Sequence, residues 1–443
     1  MNYRLEDVMK IAFYTLGCKV NQYETQALKE KFLKRGYELV EEDEYADIYV
    51  VNTCTVTALA DRKSRQYIRR MKKINPDSIT AVIGCYAQVN PDEASSIEGV
   101  NIVVGTNEKN NLPDYIEDYI KQNRQITNVL DYDELNIYDE SGSITSMDSR
   151  TRAYIKVQEG CNQFCSYCII PYARGNVRSR SKEDILKEAN HLISKGFREL
   201  VITGINTALY GIEDKHLGIE DIIKDLNGIP ADFRIRLGSL EPTVINASYV
   251  SKLLQYEKLC PHLHLSLQSG SDRILKKMNR NYDSKGYKEI IKVLRDHDKC
   301  YGITTDIIVG FPGETEEDFQ ASIKIVEESG FNKVHVFQYS KRQGTKAAEM
   351  KDQIPSDIKK RRSAELIRVA EITSEKMIKT NLGEKRKVLF EEYDEATGLI
   401  SGFSDNYIKV YCKVKEDLAN ELLNQFAVVS FMEKYKEGVL GSV

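Results

Sequence analysis

Three cysteines stand at positions 161, 165 and 168 in the stretch GCNQFCSYC, with no fourth at a matching distance. A structural zinc site is closed by four protein ligands. Three thiolates on one loop leave a position the loop does not fill. Thiolate-rich sites select zinc or iron–sulfur, and three cysteines on a [4Fe–4S] cluster leave one iron open to a substrate. Three further cysteines, Cys18, Cys54 and Cys85, each close an apolar run: KIAFYTLGC, ADIYVVNTC and SITAVIGC. They lie 36 and 31 residues apart, about one strand–helix unit each.

Those runs fix the elements that must carry the cysteines. Each is followed by a helix-like segment, NQYETQALKEKFLKRG, ALADRKSRQYIRRMKK or AQVNPDEASSI. Alternating strand and helix patterns predict a parallel sheet with covering helices. Cys18, Cys54 and Cys85 then fall just past the carboxyl ends of parallel strands, where open sheets bind ligands, and the fold gathers them in space. VNIVVG at 100–105 adds a strand. Residues 131–150, DYDELNIYDESGSITSMDSR, are polar, acidic and Ser-rich, and read as a linker.

From residue 151 a second series begins: AYIKVQ, ELVITG, FRIRLGS, HLHLSLQ, TTDIIVG and KVHVFQYS, with helical stretches between. Six such units fall short of the eight that close a full barrel, so a partial (βα)6 barrel is expected. The GCNQFCSYC loop follows its first strand, at the face where barrel enzymes place their chemistry. Residues 356–381 read as one long helix. Short alternating runs after Gly383 predict a small all-β, OB-like domain. The expected divisions are 9–130, a linker at 131–150, 151–355, a connecting helix at 356–382, and 383–443.

Composition limits the alternatives. The 443 residues suit about three domains. Hydrophobic residues make up 41% and charged residues 29%, enough for a sizeable core, and the net charge of −4 excludes a globally basic nucleic-acid binder. The opening MNYRLEDVMKIAFYTLG carries Glu6 and Asp7 and no long apolar run, which is unlike a signal peptide. No run of about 18 apolar residues suggests a membrane span, and a cytoplasmic location is expected. Nine cysteines in such a chain point to metal or catalysis rather than disulfides. Cys260, Cys300 and Cys412 are scattered and read as small buried residues.

A C-x3-C-x2-C loop after the first strand of such a barrel resembles the radical S-adenosylmethionine (SAM) enzymes. The resemblance implies that Cys161, Cys165 and Cys168 hold a [4Fe–4S] cluster. Its open iron chelates the amino and carboxylate groups of SAM, and one electron cleaves SAM to a 5′-deoxyadenosyl radical. Tyr167 matches an aromatic position near the adenine. TGIN at 203–206 stands where the family carries a Gly-Gly-Glu for the SAM amino group. Gly204 alone matches it, and Asn206 joins it as a candidate contact. LHLSLQSGSDRILKKMNR at 263–280 matches the fourth strand and offers Ser266 and Gln268 to the SAM ribose or carboxylate. DIIVGFPGETEEDF at 306–319 matches the fifth, with backbone from Ile308 to Gly310 against adenine.

The N-terminal cysteines, the barrel and the C-terminal β domain together resemble the methylthiotransferases over essentially the whole chain. That resemblance implies a second [4Fe–4S] cluster on Cys18, Cys54 and Cys85, SAM used as both methyl donor and radical source, and a C-terminal TRAM domain. It also implies a reductant such as flavodoxin or ferredoxin. The wording YTLGCKVNQYET and QEGCNQFCSYCIIPYARGNVRSR is most similar to the subgroup that converts N6-threonylcarbamoyladenosine in tRNA to its 2-methylthio form. Other subgroups act on isopentenyladenosine or on a ribosomal-protein aspartate. A non-catalytic iron–sulfur RNA binder or redox sensor would need the clusters but no SAM pocket, and a zinc scaffold would need neither.

An RNA partner, the anticodon stem-loop of tRNA, has partial support in the residues. DRKSRQYIRRMKK sets Arg62, Arg65, Arg69 and Lys72 on one helical face beside the first cysteine group. Arg174 and Arg178, with Arg180, follow the second. The C-terminal domain is more acidic than basic, but Lys385, Arg386 and Lys387 could form a basic patch, and Phe403, Tyr407 and Tyr411 could stack on bases or fill the β core. No general acid or base stands out. The six histidines show no metal-ligand spacing, and His262 and His264 alternate on a strand.

Overall fold

The computed structural model describes residues 8–138, 142, 144–146, 151–214 and 217–443. Residues 1–7 of the opening stretch and 139–141, 143 and 147–150 of the expected linker lie outside the described residues.

Six parallel strands form the first sheet: β1 Lys10–Thr15, β2 Glu38–Val40, β3 Ile48–Thr53, β4 Ile79–Gly84, β5 Ile102–Val104 and β6 Ile126–Asn128, in the order β2-β1-β3-β4-β5-β6. Every residue of β3 and β4 is buried, as expected where helices cover both faces of a parallel sheet. Strands β2 and β6 escaped the sequence reading, because each has three residues and no long apolar run. The winding reverses between β1 and β3, so the crevice beyond their carboxyl ends is a topological switch point. Helices α1 Lys19–Lys34, α2 Ala58–Ile74 and α3 Cys85–Val89 start there. Thr57 caps α2 through its side chain, which accepts from Ala60 N–H.

The middle of the chain carries all six expected strands in two four-stranded sheets. One runs β10-β9-β7-β8, with β7 Arg152–Glu159, β8 Arg178–Ser179, β9 Glu199–Gly204 and β10 Arg234–Leu237. The other runs β11-β12-β13-β14, with β11 Ser239–Leu240, β12 His262–Leu265, β13 Gly302–Val309 and β14 Lys333–Gln338. The FRIRLGS run breaks at Gly238 and passes from one sheet to the other. An open, partial parallel barrel results, with a shared hydrophobic core. Tyr23 and Ala27 of α1 belong to that same core, so the first unit closes part of the barrel's side. The helix Ser356–Thr380 packs on β14 and leads to a closed five-stranded barrel, β15 Lys385–Asp394, β16 Leu399–Ser404, β17 Lys409–Lys413, β18 Phe426–Tyr435 and β19 Gly438–Ser442, ordered β15-β16-β17-β19-β18. No described helix is long and apolar enough to cross a membrane. Cys260, Cys300 and Cys412 are buried.

Tyr407 corrects one RNA-facing expectation. Its hydroxyl lies 3.0 Å from the Glu199 carboxylate and accepts from Arg152 at 2.9 Å, and the Arg236 guanidinium sits 3.1 Å from its ring centroid. Phe403 stacks on it at 4.9 Å. These rings plug the amino-terminal end of the barrel instead of facing RNA. Arg386 and Lys387 likewise pair with Asp298 and Asp232 of the barrel, each at 2.8 Å, so two of the three basic residues serve docking between the two units.

Candidate active site

The switch point gathers the first cysteine triplet. Cys18 precedes α1, Cys54 follows β3 and Cys85 opens α3. The turn after β1 carries Gly17 (φ +106°) so close to Cys54 that an added Cβ would lie 3.1 Å from its sulfur. Asn21, three residues past Cys18, ties the strand ends together: its side-chain amide donates to Leu16 O at 2.7 Å and Thr53 O at 3.0 Å. Arg342, on the loop after β14, donates to Asp61 and Thr55, both at 2.6 Å, and so holds the Cys54 turn against the barrel. Burial pushes Cys54 up to about 12, helped by the neighbouring Cys85 and Cys18.

The second triplet sits on a loop that is pinned from several sides. Cys161 N–H donates to Gly175 O at 3.0 Å, Ser166 N–H to Met278 O at 3.0 Å, and Ala347 N–H to Ser166 O at 2.7 Å. Asn279 donates to both Gln163 O and Phe164 O. Gly160, at φ +72°, lies so close to Asn176 that a Cβ would fall 1.7 Å from its carbonyl oxygen. Burial, with Cys165 beside each of them, pushes Cys161 and Cys168 up to about 12.

Both triplets fit a cluster better than one ion. Among the described residues, the only three ligand atoms within 4.8 Å of one another belong to His264, Asp306 and His335. Thiolates around one tetrahedral zinc, with bonds of about 2.3 Å, would be drawn closer than that. A cubane asks for a wider triangle, because each cysteine holds a different iron.

A buried ionic network joins the two sites. Arg174, fully buried at the end of the helix Ile170–Arg174, donates to Cys85 Sγ at 3.3 Å, to Asn21 Oδ1 at 2.5 Å, and to Glu24 and Glu159, each at 2.5 Å. Lys156 reaches the same two carboxylates at 3.3 and 3.1 Å, and Lys109 pairs with Glu24. Although burial acts to raise it, Lys156 and Arg174 hold Glu159 down at about 2. Arg178 is buried as well and donates to Leu135 O. The expectation that Arg174 and Arg178 meet RNA phosphate is therefore corrected: both guanidiniums are buried inside the protein, Arg174 between the two halves of the site and Arg178 against Leu135 O and Glu159.

The expected SAM residues converge around Cys161–Cys168. Tyr167 and Ile308 pack into one small apolar cluster with Phe311 and Met278. Gly204 ends β9 and Asn206 follows it. The Asn206 side chain donates to Glu241 Oε2 at 2.7 Å, while its buried Oδ1 has no partner among the described residues. Arg280 pairs with Glu241 and donates to the Tyr167 hydroxyl at 2.6 Å, and its buried Nε is also unpartnered among them. Ser266 and Gln268 are buried at the end of β12; Gln268 (φ +67°) exchanges backbone bonds with Asp306 and Ile308. Gly310 turns at φ +71° and gives its N–H to Glu314 at 2.7 Å. Orphaned polar atoms beside an apolar cluster and a thiol triplet suit a ligand with an adenine face and charged amino-acid groups. Sequence reading missed Asn21, Glu24, Glu159, Glu241 and Arg280; the Asn in CKVN and the Glu in SLEP, just past a strand end, were the available signals.

On α2, Arg62 and Arg69 are exposed and line a concave patch with Tyr67, Arg70 and Lys73. Arg65 lies over the Tyr86 ring and pairs with Glu93 at 3.1 Å. Lys72 is turned away, bonded to the carbonyls of Pro76 and Ser78, which corrects its expected place on the phosphate-facing surface.

Comparison with known proteins agrees with this architecture. Residues 155–326 match the Radical SAM superfamily, and residues 10–105 match a family described as Uncharacterized protein family UPF0004. The chain is 39% identical, over 97% of its length and 95% of the relative's, to the threonylcarbamoyladenosine tRNA methylthiotransferase MtaB of Bacillus subtilis (strain 168). It is 38% identical to the MtaB of Aquifex aeolicus (strain VF5), over 91% of this chain and 96% of the relative. It is 34% identical, over 85% and 84%, to the tRNA-2-methylthio-N(6)-dimethylallyladenosine synthase of Clostridium perfringens (strain SM101 / Type A). In fold it is similar to the radical S-adenosylmethionine methyltransferase TsrM from Kitasatospora setae, at a TM-score of 0.56 and 13% identity, over 77% of this chain and 74% of that one.

Proposed function

This chain belongs to the methylthiotransferases of the radical SAM superfamily, and from that membership we propose that it places a methylthio group on carbon 2 of N6-threonylcarbamoyladenosine in tRNA. The observation that carries this reading is the near full-length identity of 39% to an enzyme named for that nucleoside. The enzyme uses SAM and two [4Fe–4S] clusters. We assign one cluster to Cys161, Cys165 and Cys168, and the other to Cys18, Cys54 and Cys85.

Clusters and SAM supply the radical and the sulfur that an unactivated aromatic C–H requires. The residues of the chain hold, orient and insulate. We assign Tyr167, Gly204, Asn206, Ser266, Gln268, Ile308 and the Gly310 backbone to SAM. Glu241 and Arg280 are the partners that fix Tyr167 and Asn206. Arg174 holds the Cys85 side of one site against the loop of the other. Tyr23, in the barrel core with its hydroxyl donating to Glu188 at 3.0 Å, keeps bulk water from the side that α1 covers. Arg62 and Arg69 on α2, with Arg65 behind them, are placed to grip the phosphates of an anticodon stem-loop. A cytoplasmic location and a flavodoxin- or ferredoxin-like electron donor complete the reading, as does the division into units 9–130, 151–355 and 383–443 with a linker at 131–150 and a helix at 356–382.

Nucleoside mass spectrometry tests it. Anaerobically reconstituted enzyme with SAM and a reductant should convert threonylcarbamoyladenosine in tRNA to a product heavier by a methylthio group. Conversion of isopentenyladenosine alone would overturn the substrate assignment.

A further inference from the structure

Among the described residues, Arg174 is the one charged side chain that donates to a sulfur of either cysteine triplet. Its Nε–H meets Cys85 Sγ at 3.3 Å. Nη1 reaches a carboxylate oxygen of Glu24 and one of Glu159, and Nη2 reaches Asn21 Oδ1, each at 2.5 Å. All three nitrogens are engaged and the side chain is fully buried. A planar guanidinium fixed at both Nη groups has no freedom to turn its Nε–H away from the sulfur.

The carboxylates beside Arg174 are shared with other cations. Glu24 also pairs with Lys109 and, at 3.3 Å, with Lys156. Glu159 pairs with Lys156 at 3.1 Å and lies 3.7 Å from Arg178. All of these side chains are buried. Their negative charge is divided, so it does not simply cancel the arginine, and burial leaves little screening between a guanidinium and a thiolate in contact. The other triplet is arranged differently. No described side chain donates to the sulfurs of Cys161, Cys165 or Cys168, and Arg280 on that side donates to Glu241 and the Tyr167 hydroxyl.

We propose that Arg174 tunes the cluster on Cys18, Cys54 and Cys85 through its hydrogen bond to Cys85, holding the reduction potential of that cluster above the value that three buried thiolates alone would set. This rests on the assignment of that triplet to a [4Fe–4S] cluster. Reduction adds negative charge to an iron–sulfur core. A hydrogen bond to a ligating sulfur, or a cation beside it, favours the reduced state. Arg174 is then an electrostatic determinant of the sulfur-carrying site as well as a spacer between the two halves.

A potentiometric titration followed by electron paramagnetic resonance tests this on the full-length, anaerobically reconstituted chain. The triple variant Cys161→Ala/Cys165→Ala/Cys168→Ala leaves the first triplet as the sole cluster site, so its titration reads that site alone. In that background Arg174→Gln should lower the equilibrium constant for one-electron reduction about tenfold, a midpoint lower by about 59 mV. Arg174→Lys keeps the charge but not the fork and should lose less. Glu24→Gln keeps an acceptor for Arg174 but removes a negative charge, and should move the midpoint upward. A loosened fold does not give shifts of opposite sign. Should Arg174→Gln fail to hold iron, Arg174→Lys and Glu24→Gln carry the test. Unchanged midpoints in the variants that hold iron, or a lower midpoint in Glu24→Gln, would overturn the proposal while leaving the cluster assignment intact. No [4Fe–4S] signal in the triple-alanine background would overturn the assignment of Cys18, Cys54 and Cys85 itself, and the proposal with it.

Discussion

Arg174 donates its Nε–H to Cys85 Sγ across 3.3 Å. The two residues come from different halves of the molecule, since Arg174 ends the helix that follows the Cys161–Cys168 loop and Cys85 begins the helix at the sheet's switch point. Burial would depress the guanidinium, but Cys85, Glu24 and Glu159 together raise its pKa well above the ordinary value. One arginine thus fixes the spacing of the two cysteine groups.

Removing that charge leaves Glu24 and Glu159 in a dry site without their principal partner. Loss of one member of a buried ion pair costs about 3–5 kcal/mol. Arg174→Gln should lower the denaturant midpoint accordingly and should impair methylthiolation more than reductive SAM cleavage, because the Cys85 side loses its anchor. A variant as stable as wild type would show that the network is dispensable.

Gly160 should tolerate no side chain. Its φ of +72° and the 1.7 Å gap to Asn176 O mean that Gly160→Ala must displace the strand end that launches the cysteine loop. We expect loss of about half the iron and of 5′-deoxyadenosine formation. Gly196 is the control. It also has positive φ (+93°) but open space around it, so Gly196→Ala should cost about 1 kcal/mol and keep all the iron.

The α2 patch gives a prediction about RNA. Arg62→Glu and Arg69→Glu should each weaken stem-loop binding about tenfold at low salt and reduce the slope of log K against log salt by roughly one. Filter binding or fluorescence anisotropy across a salt series reads both. The same substitution at Lys72, which is bonded to backbone carbonyls, should leave the slope alone.

Tyr407 should stabilise the join between the barrel and the C-terminal unit. Tyr407→Phe removes the hydroxyl contacts with Arg152 and Glu199 and should cost about 1–2 kcal/mol. Tyr407→Ala also removes the ring under Arg236 and should cost about 3–5 kcal/mol. Chemical denaturation followed by circular dichroism suits this chain, which has no tryptophan.

Strands and cysteines were legible in the sequence because apolar or alternating runs of six to nine residues, five of them ending at a cysteine or glycine, leave few alternatives. β1, β3 and β4 were found that way, as were the six barrel strands. Short β2, β6, β8 and β11 were not, since two or three residues carry no period. The cationic residues misled for a related reason. Arg174, Arg178 and Lys72 look alike as letters, and their partners, Glu24 and Glu159, Leu135 O, and Ser78 O, are in two of the three cases far away in the chain. His264, Asp306 and His335 are 42 and 29 residues apart in sequence. Only strand register sets them side by side, and no spacing rule announces it.

The central claim is that the two cysteine groups divide the work. The most direct measurement is parallel chromatography of 5′-deoxyadenosine and methylthiolated nucleoside from Cys54→Ala under reduction with SAM and substrate tRNA, with Cys161→Ala as its counterpart. We predict that Cys54→Ala still forms 5′-deoxyadenosine but no methylthio nucleoside, and that Cys161→Ala forms neither. Retained SAM cleavage in Cys161→Ala, or its loss in Cys54→Ala, would contradict the division of labour between the two sites.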